Sequence, residues 1–577
     1  MAQLTPLAKG LIAVIIIGGT GAAAWNMGLR DLLSEGGTTG GPAVATGEAA
    51  VGPERPATAV PEEPTSAAEV PAPGPPPAAK SPRGGPLGSE GNPLKVSIVS
   101  FHGYAPALLA NGQSLKTRPG SLFDQKRVSV EFVIQDDIPT LTTIFESGAA
   151  HCAWRTSDFW AQEQPNLRNA GLDGRAIVIV DNTQGGDAVI ARDPDLQRIE
   201  DLAGKKVALL QYTPSDGMVI DAVENSSLSA RKKQSIDYVY INVDEGTAGV
   251  RAAFESGQVD AAALWDPDLS LALKKVPGAH VIYSTRIATN LIYDVIVCDQ
   301  RQLQKPENEA AFQNFVAGWL AGVQAAKARP EEAVEALIKT EEFFALLARE
   351  EGRPFILSIF KNLVWTDLAD NARILGLSGD TNHYERVYRR FDGIYRRAGA
   401  LANPKSPVIN PEDSFDYRFI KSLLAADAAA NAEAAKPAFT FTAAERAEAA
   451  TRAAKVTKPV LVSFASGVAV LNRRAESTID EEMVPFIENN GSAYFEVSGN
   501  TDSTGPREVN QRLSKSRAVA VVDYLVSQWE FPRERFVVSG NGPDKPLCNE
   551  ANPATENLSL EECRAANRTT RVAVLSR

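Results

Sequence analysis

The sequence predicts an α/β protein with a long middle domain of alternating strands and helices and a shorter α+β module at its C-terminal end. Three observations predict it. From Leu94 onward, apolar runs of strand length alternate with helical stretches. Across residues 431–457 the texture thins into an Ala-rich connector. Beyond it, "YFEVSGNTDSTGPREVNQRLSKSRAVAVVDYL" reads as a strand, a polar turn and a long helix. Ahead of these lie a hydrophobic helix at 1–30 and a Pro/Ala/Gly-rich linker, expected to be disordered, at 31–93. The middle domain is then 94–430 and the terminal module 458–577.

The first element sets the compartment. "LTPLAKGLIAVIIIGGTGAAAW" is apolar, holds Lys9 and carries no acid. It reads as an uncleaved anchor with Lys9 on the cytoplasmic side, or as a secretory signal cut near Ala22 to Ala24. Both export the rest of the chain, and the anchor is the expectation: a single pass with the bulk of the chain outside the cytoplasm. The linker that follows is too poor in large apolar residues to offset its chain entropy. A Pro-rich segment extends up to ~3 Å per residue, so it reaches beyond ~100 Å when stretched. Such a tether suits a protein fixed at one surface and acting at another.

Composition narrows the class. The 577 residues exceed what one core fills. A net charge of -12 without a Lys/Arg cluster argues against a nucleic-acid partner. Of the four cysteines, Cys152 and Cys298 sit in apolar runs and read as buried thiols. Cys548 and Cys563 flank a polar loop and are candidates for a disulfide in an oxidising compartment. No CxxC spacing, HExxH, GxSxG or phosphate loop appears, so no metal, cofactor or catalytic residue is expected.

In the middle domain, "LKVSIVS", "VSVEFVI", "RAIVIVD", "KKVALLQ", "DAAALW" and "YDVIVC" are strand-like, with helical stretches such as "GTAGVRAAFESGQ" between them. That alternation predicts mostly parallel sheets, with ligands held at the carboxyl ends of strands. The loops there supply Ser100, His102 and Tyr104; Ser157 and its neighbour Asp158; Asp187; Thr213, Ser215 and Asp216; and Trp265 with Asp266. Thr213 and Ser215 fit helix caps as well as ligand contacts, Trp265 fits a core position, and Asp266 before Pro267 fits a turn. The charges conflict. Asp158, Asp187, Asp216 and Asp266 favour a cationic or amine-bearing ligand, whereas hydroxyls at a helix start favour an anion.

"SFHGYAP", "IEDLAGKKVAL", "QYTPSDGMVIDAV" and "SGQVDAAALWDP" resemble the periplasmic solute-binding proteins of ABC importers, in the branch holding nitrate, sulfonate, taurine and thiamine-precursor binders. The resemblance implies a two-lobed periplasmic binding protein fold, with a second lobe near 193–284 and a ligand captured by closure about a hinge. His102 stands where that family more often has an aromatic residue before Gly-Tyr, so family ligands do not transfer to this sequence.

The end of the chain resembles the OmpA-like peptidoglycan-binding domain. "VLVSFASGVAVLN" is similar to its first strand and turn, "SGNTDSTGPREVNQRLSKSRA" to its signature and "NRTTRVAVL" to its end. The sequence departs at Asn500, where that family usually has His, and in the longer Cys548–Cys563 loop. The resemblance implies that Asp502 and Arg517 hold the diaminopimelate of a peptidoglycan stem peptide, with Thr501, Asn510, Leu513 and Arg568 around them. The chemistry suits a zwitterion: Asp502 takes the ammonium, and the Arg517 fork takes the carboxylate. Pro506 fits the first helical position. The alternative is an internal Asp502–Arg517 ion pair holding turn to helix.

The combined expectation is a binding protein rather than an enzyme. Together the two resemblances imply a chain tethered by a single pass to the inner membrane of a Gram-negative bacterium and docked on peptidoglycan, presenting a solute-binding domain to an unidentified small molecule in the periplasm. An ABC permease or another envelope protein is a further partner. The alternative is a wall-anchored scaffold whose solute-binding-like domain binds a protein.

Overall fold

The computed structural model describes residues 85–577 except 138–139, 141–142, 145–146, 380 and 466. The N-terminal hydrophobic helix and most of the linker lie outside the described residues. Residues 85–93, placed by the sequence in the linker, form a turn in which the Gly88 N–H donates to Asn92 O and the Ser129 N–H to Gly88 O. Among the described residues, no helix is long and apolar enough to cross a membrane.

Strands β1 (Leu94–Ile98), β2 (Val130–Ile134), β3 (Cys152–Thr156) and β4 (Gly174–Thr183) open the first lobe. The chain then crosses to β5 (Asp187–Ala191), β6 (Lys206–Leu209), β7 (Asp237–Tyr240), β8 (Ala261–Trp265) and β9 (His280–Ser284), and returns as β10 (Tyr293–Asp299) and β11 (Leu363–Trp365). The first sheet has the order β11-β4-β10-β3-β1-β2 and the second β7-β6-β8-β5-β9. Both are mixed rather than mostly parallel. β1 runs parallel to β2 and β3, and β6 parallel to β7 and β8. The strands at the crossings, β4, β5, β9 and β10, run against their neighbours. A strand that leaves one lobe and one that returns to it enter from opposite ends, which makes them antiparallel partners.

Burial drives the lobes. Ala176 to Val180 of β4 are all fully buried, as are Val295 to Cys298 of β10. Each buried Val or Ile side chain stabilises the fold by ~1.5–3 kcal/mol relative to exposure. Cys152 and Cys298 face each other across the β3–β10 register and form a disulfide, which corrects the reading of them as thiols. Their sequence neighbourhoods are simply apolar; only the strand pairing brings them together.

Helices α1 (Ser157–Asn169), α2 (Pro214–Glu224), α3 (Gly246–Glu255), α4 (Glu309–Ala328) and α5 (His383–Ala398) include those around the interlobe crevice and the long ones behind it. The terminal module adds β12 (Val456–Val460), β13 (Tyr494–Asn500), α6 (Arg507–Trp529), β14 (Phe536–Gly542) and β15 (Thr570–Leu575), with sheet order β12-β15-β13-β14. β13, α6 and β14 form a β-α-β unit with parallel strands. Two glycines let α6 lie close on this sheet. A Cβ at Gly499 would sit 2.0 Å from the Ser514 carbonyl oxygen, and one at Gly540 2.5 Å from the Lys515 nitrogen. Cys548 and Cys563 are disulfide-bonded across the loop before β15.

The module packs on the second lobe and on the return crossing at 285–292. The Asn290 N–H donates to Asn489 O (3.1 Å) and its side-chain amide to Glu488 O (2.8 Å). The Tyr283 hydroxyl donates to Asn490 (3.0 Å), and the Ser492 hydroxyl to Arg286 O (2.8 Å). The turn that makes these contacts is held from inside by Arg535. This buried guanidinium donates to the carbonyls of Ile487, Asn490, Gly491 and Ala493, and burial pulls its pKa down to about 9. Arg386 on α5 pairs with Glu488, and Lys232 of the second lobe pairs with Glu556 (3.0 Å).

Candidate functional site

The strand ends converge on a cavity of about 260 Å³ between the lobes. The first lobe contributes Ser100, Phe101, Asp136, Trp154, Thr156, Phe159 and Thr183. The crossings and second lobe contribute Asp187, Leu210, Thr213, Trp265, Asp268 and Asp294 among others. α2 and α3 begin at its edge, through Thr213, Pro214, Gly246 and Thr247.

Of the sequence candidates, Ser100, Asp187, Thr213 and Trp265 line the cavity. Ser100 donates through its N–H (2.6 Å) and hydroxyl (2.9 Å) to Asp136. Asp187 accepts from the Ser215 hydroxyl at 2.9 Å. Burial pushes its pKa up to about 7. Thr213 Oγ1 donates back to Leu210 O (2.7 Å), and Asp216 takes the Tyr212 N–H (2.7 Å). Burial also raises Asp216 to about 7 and Asp158 to about 6.

The others sit behind the wall. His102 is fully buried and stacked on Phe360, and burial lowers its pKa to about 3, so the ring is neutral. Ser157 accepts from the Tyr293 N–H (3.3 Å). Tyr104 donates to Asp294 (3.3 Å). Asp266 accepts from the Ser270 N–H (3.0 Å) and the Asn362 amide (2.6 Å), the latter joining the second lobe to the segment before β11. It is not on the cavity lining; these bonds hold the turn and the lobe junction.

Asp294 and Asp181 were missed by sequence reasoning. They are partners in the β4–β10 register, both buried, with Asp294 on the cavity wall. Burial, and then the charge of the neighbouring aspartates, pushes both well above the ordinary carboxylate range. The available signal was an acid in each of two otherwise apolar runs, "RAIVIVD" and "YDVIVC". Among the described residues, no group of three or more His, Cys, Asp or Glu is arranged to hold a metal ion.

The second site lies where β13 meets α6. Asp502 accepts from the Thr504 N–H (3.0 Å) and from Arg568 (2.8 Å). Thr501 donates its N–H to Gly542 O (2.9 Å), and the Asn510 amide donates to Thr504 O (2.9 Å), fixing the turn. Leu513 is half-buried one helical turn before Arg517. Arg517 donates to the carbonyls of Ala465 and Val468, both at 3.1 Å, and lies 5.0 Å over the Phe464 ring. Its half-burial pulls its pKa below the ordinary value. The ion partner of Asp502 is thus Arg568, not Arg517, and Pro506 is the N-cap of α6 rather than its first residue.

Two α/β lobes around a lined cleft, joined to this sheet-and-helix module, make a two-lobed binding fold with an appended α+β domain. Residues 123–333 match the NMT1/THI5 like family, and residues 463–558 match the OmpA family. The chain joins an NMT1/THI5-like solute-binding domain to a C-terminal OmpA domain. Over 77 residues it is 34% identical to outer membrane protein Omp38 of Acinetobacter baumannii, covering 13% of this chain and 19% of that protein. Over 79 residues it is 35% identical to outer membrane protein A of Shimwellia blattae, covering 14% of this chain and 32% of that one. The chain therefore spans about a fifth to a third of these curated relatives. Among solved structures, the periplasmic aliphatic sulphonate binding protein SsuA of Escherichia coli superposes with a TM-score of 0.43 at 17% identity, covering 57% of this chain and 98% of that one.

Proposed function

We propose that the protein is a cell-envelope receptor. Its OmpA domain docks on peptidoglycan, its N-terminal segment tethers it to the inner membrane, and its two-lobed domain captures or senses a small solute in the periplasm. The observation that carries this reading is the cleft itself: strand ends, helix starts and aromatic side chains of two lobes meet around one cavity. The protein is read as a binder with no catalytic step, and an ABC permease or another envelope protein is its expected partner for signalling or delivery.

At the second site, Arg517 is the fork offered to the stem-peptide carboxylate and Asp502 the acceptor for its ammonium, with Arg568 steadying Asp502 from behind. The half-buried position of Arg517 supports this, because a desolvated guanidinium binds a carboxylate more strongly than a fully hydrated one. The test is native mass spectrometry of the full chain taken gently from its host, together with co-sedimentation on purified peptidoglycan. A reproducible bound mass and wall binding are expected. An empty cleft and a thermal midpoint unmoved by any solute would sink the receptor reading and leave a wall-bound scaffold.

A further inference from the structure

The lining of the cleft is one-sided in charge. Asp136, Asp187, Glu245, Asp268 and Asp294 line it, and among the described residues no Lys, Arg or His does. One of these acids, Asp268, has a cationic partner, and Asp136 has two neutral donors. Asp268 is paired with Arg251 at 2.8 Å, and Asp136 is held by the Ser100 N–H and hydroxyl. Asp187 and Asp294 are left with hydroxyls, from Ser215 and Tyr104. A hydroxyl donor does not neutralise a buried carboxylate.

Asp181 adds an independent observation. It is fully buried directly across the ladder from Asp294, and neither of its carboxylate oxygens has a hydrogen-bond partner among the described residues. Two adjacent buried carboxyls cannot both ionise without a counter-charge.

An anion would find only neutral donors on the lining, the Thr156 and Thr183 hydroxyls and the Trp154 indole N–H among them, and few at the start of α2. The Thr213 and Ser215 hydroxyls at the start of α2 already donate to Leu210 O and Asp187, and Asp216 occupies the Tyr212 N–H just before that helix. Five aromatic rings, Phe101, Trp154, Phe159, Trp265 and Phe343, complete the lining. Rings of this kind attract a cation to their faces and cover an apolar body. The cavity lies just under the ~300 Å³ lower end of drug-sized sites, so the occupant is small.

On the reading of this domain as a solute receptor, we infer that the cleft takes a small organic cation: a protonated amine or quaternary ammonium on an apolar or aromatic body. Asp187 and Asp294 face the ammonium, and the rings sheathe the rest. The conflict between acids and hydroxyls in the sequence resolves in favour of the acids, because the hydroxyls serve the fold.

The test uses the full chain and isothermal titration with three molecules of one shape: 2-phenylethylammonium, 2-phenylethanol and phenylmethanesulfonate, with choline and agmatine as smaller and longer cations. Native mass spectrometry of the chain from its host runs alongside. At least one cation is expected to bind ten times more tightly than the sulfonate, and Asp294→Asn should erase most of that preference. Asp187→Asn repeats the test should Asp294→Asn misfold, with circular dichroism checking both. A sulfonate or neutral molecule binding more tightly than its matched cation, or a co-purified solute without positive charge, overturns the inference and leaves the receptor reading intact. No binding by any probe, together with an empty chain from the host, overturns both. If the probes fail but a co-purified cation appears, the inference stands.

Discussion

The interlobe cleft and the recess beside α6 both place carboxylates at the end of a strand, yet they treat them in opposite ways. In the recess, Asp502 meets Arg568 and a backbone N–H, and Arg517 is held by two carbonyls that orient it without cancelling its charge. In the cleft, Asp187, Asp294 and the Asp181 behind them have no cationic side chain on the lining among the described residues. A recess balanced in this way holds its shape without help and suits a zwitterion. A wall of uncompensated acids stores unfavourable electrostatic energy that a bound counter-charge relieves.

The sharpest way to separate the two is to break one and watch the other. Gly499→Val drives a side chain into the Ser514 carbonyl 2.0 Å away, so α6 must lift from the sheet. Overpacking against backbone costs ~3 kcal/mol. Co-sedimentation with peptidoglycan should vanish, while calorimetric binding of a solute to the cleft persists.

Arg517→Ala is the gentler form of the same cut. It leaves the Asp502–Arg568 pair in place. Wall affinity is expected to fall at least tenfold, ~1.4 kcal/mol, with little change in thermal midpoint. Unchanged affinity would assign Arg517 to holding the loop at Ala465 and Val468.

Acid titration tests the cleft. An unfolded Asp has a pKa near ~4, so above that pH the unfolded chain has released protons. Folded Asp158, Asp187 and Asp216 keep theirs until about 6, 7 and 7. The groups facing them include Asp181, Asp266 and Asp294, the Tyr395 hydroxyl and the Ser215 hydroxyl, while Arg286 acts on Asp266. Between those limits the native state binds more protons than the unfolded one, so the contribution of these groups to stability falls as pH rises from about 4 to 7. Differential scanning of the ligand-free chain should show a midpoint several degrees lower at pH 8 than at pH 5.5. A saturating organic cation should shrink that gap, and replacing Asp158, Asp187 and Asp216 by Asn should flatten it.

The smallest effect is expected at Trp265→Ala. Loss of one ring from the cage should weaken a bound cation by ~1 kcal/mol and leave a neutral analogue of the same shape less affected. Equal losses for both would mark Trp265 as plain apolar wall.

How much of this was legible in the sequence depends on the range of the interaction. Trp265 could be placed at the cleft because it ends a strand before a polar turn, Asp187 because it opens a strand after a glycine turn, and Thr213 because it precedes a helix. Arg517 could be read from its place in a local motif. Asp181 opposite Asp294, and Cys152 bonded to Cys298, depend on the register of strands far apart in sequence, and no local pattern fixes that register. His102 and Ser157 had the right loop position but the wrong direction, and they support the wall from behind. The mixed sheets were missed for a related reason: alternation of strands and helices reveals the elements but not the strand that returns from the other lobe.

The turn at 488–492 grips residues 283–290 through Asn489, Asn490 and Ser492, and these lie at the pivot between the lobes rather than at their tips. On the proposed reading, a pull from the wall on the terminal module reaches the receptor domain at this crossing and also on the second lobe, where Glu556 pairs with Lys232. If the lobes close on a solute as proposed, these bonds add to what must give, so the effort of closing is set partly by a module that does not line the cleft.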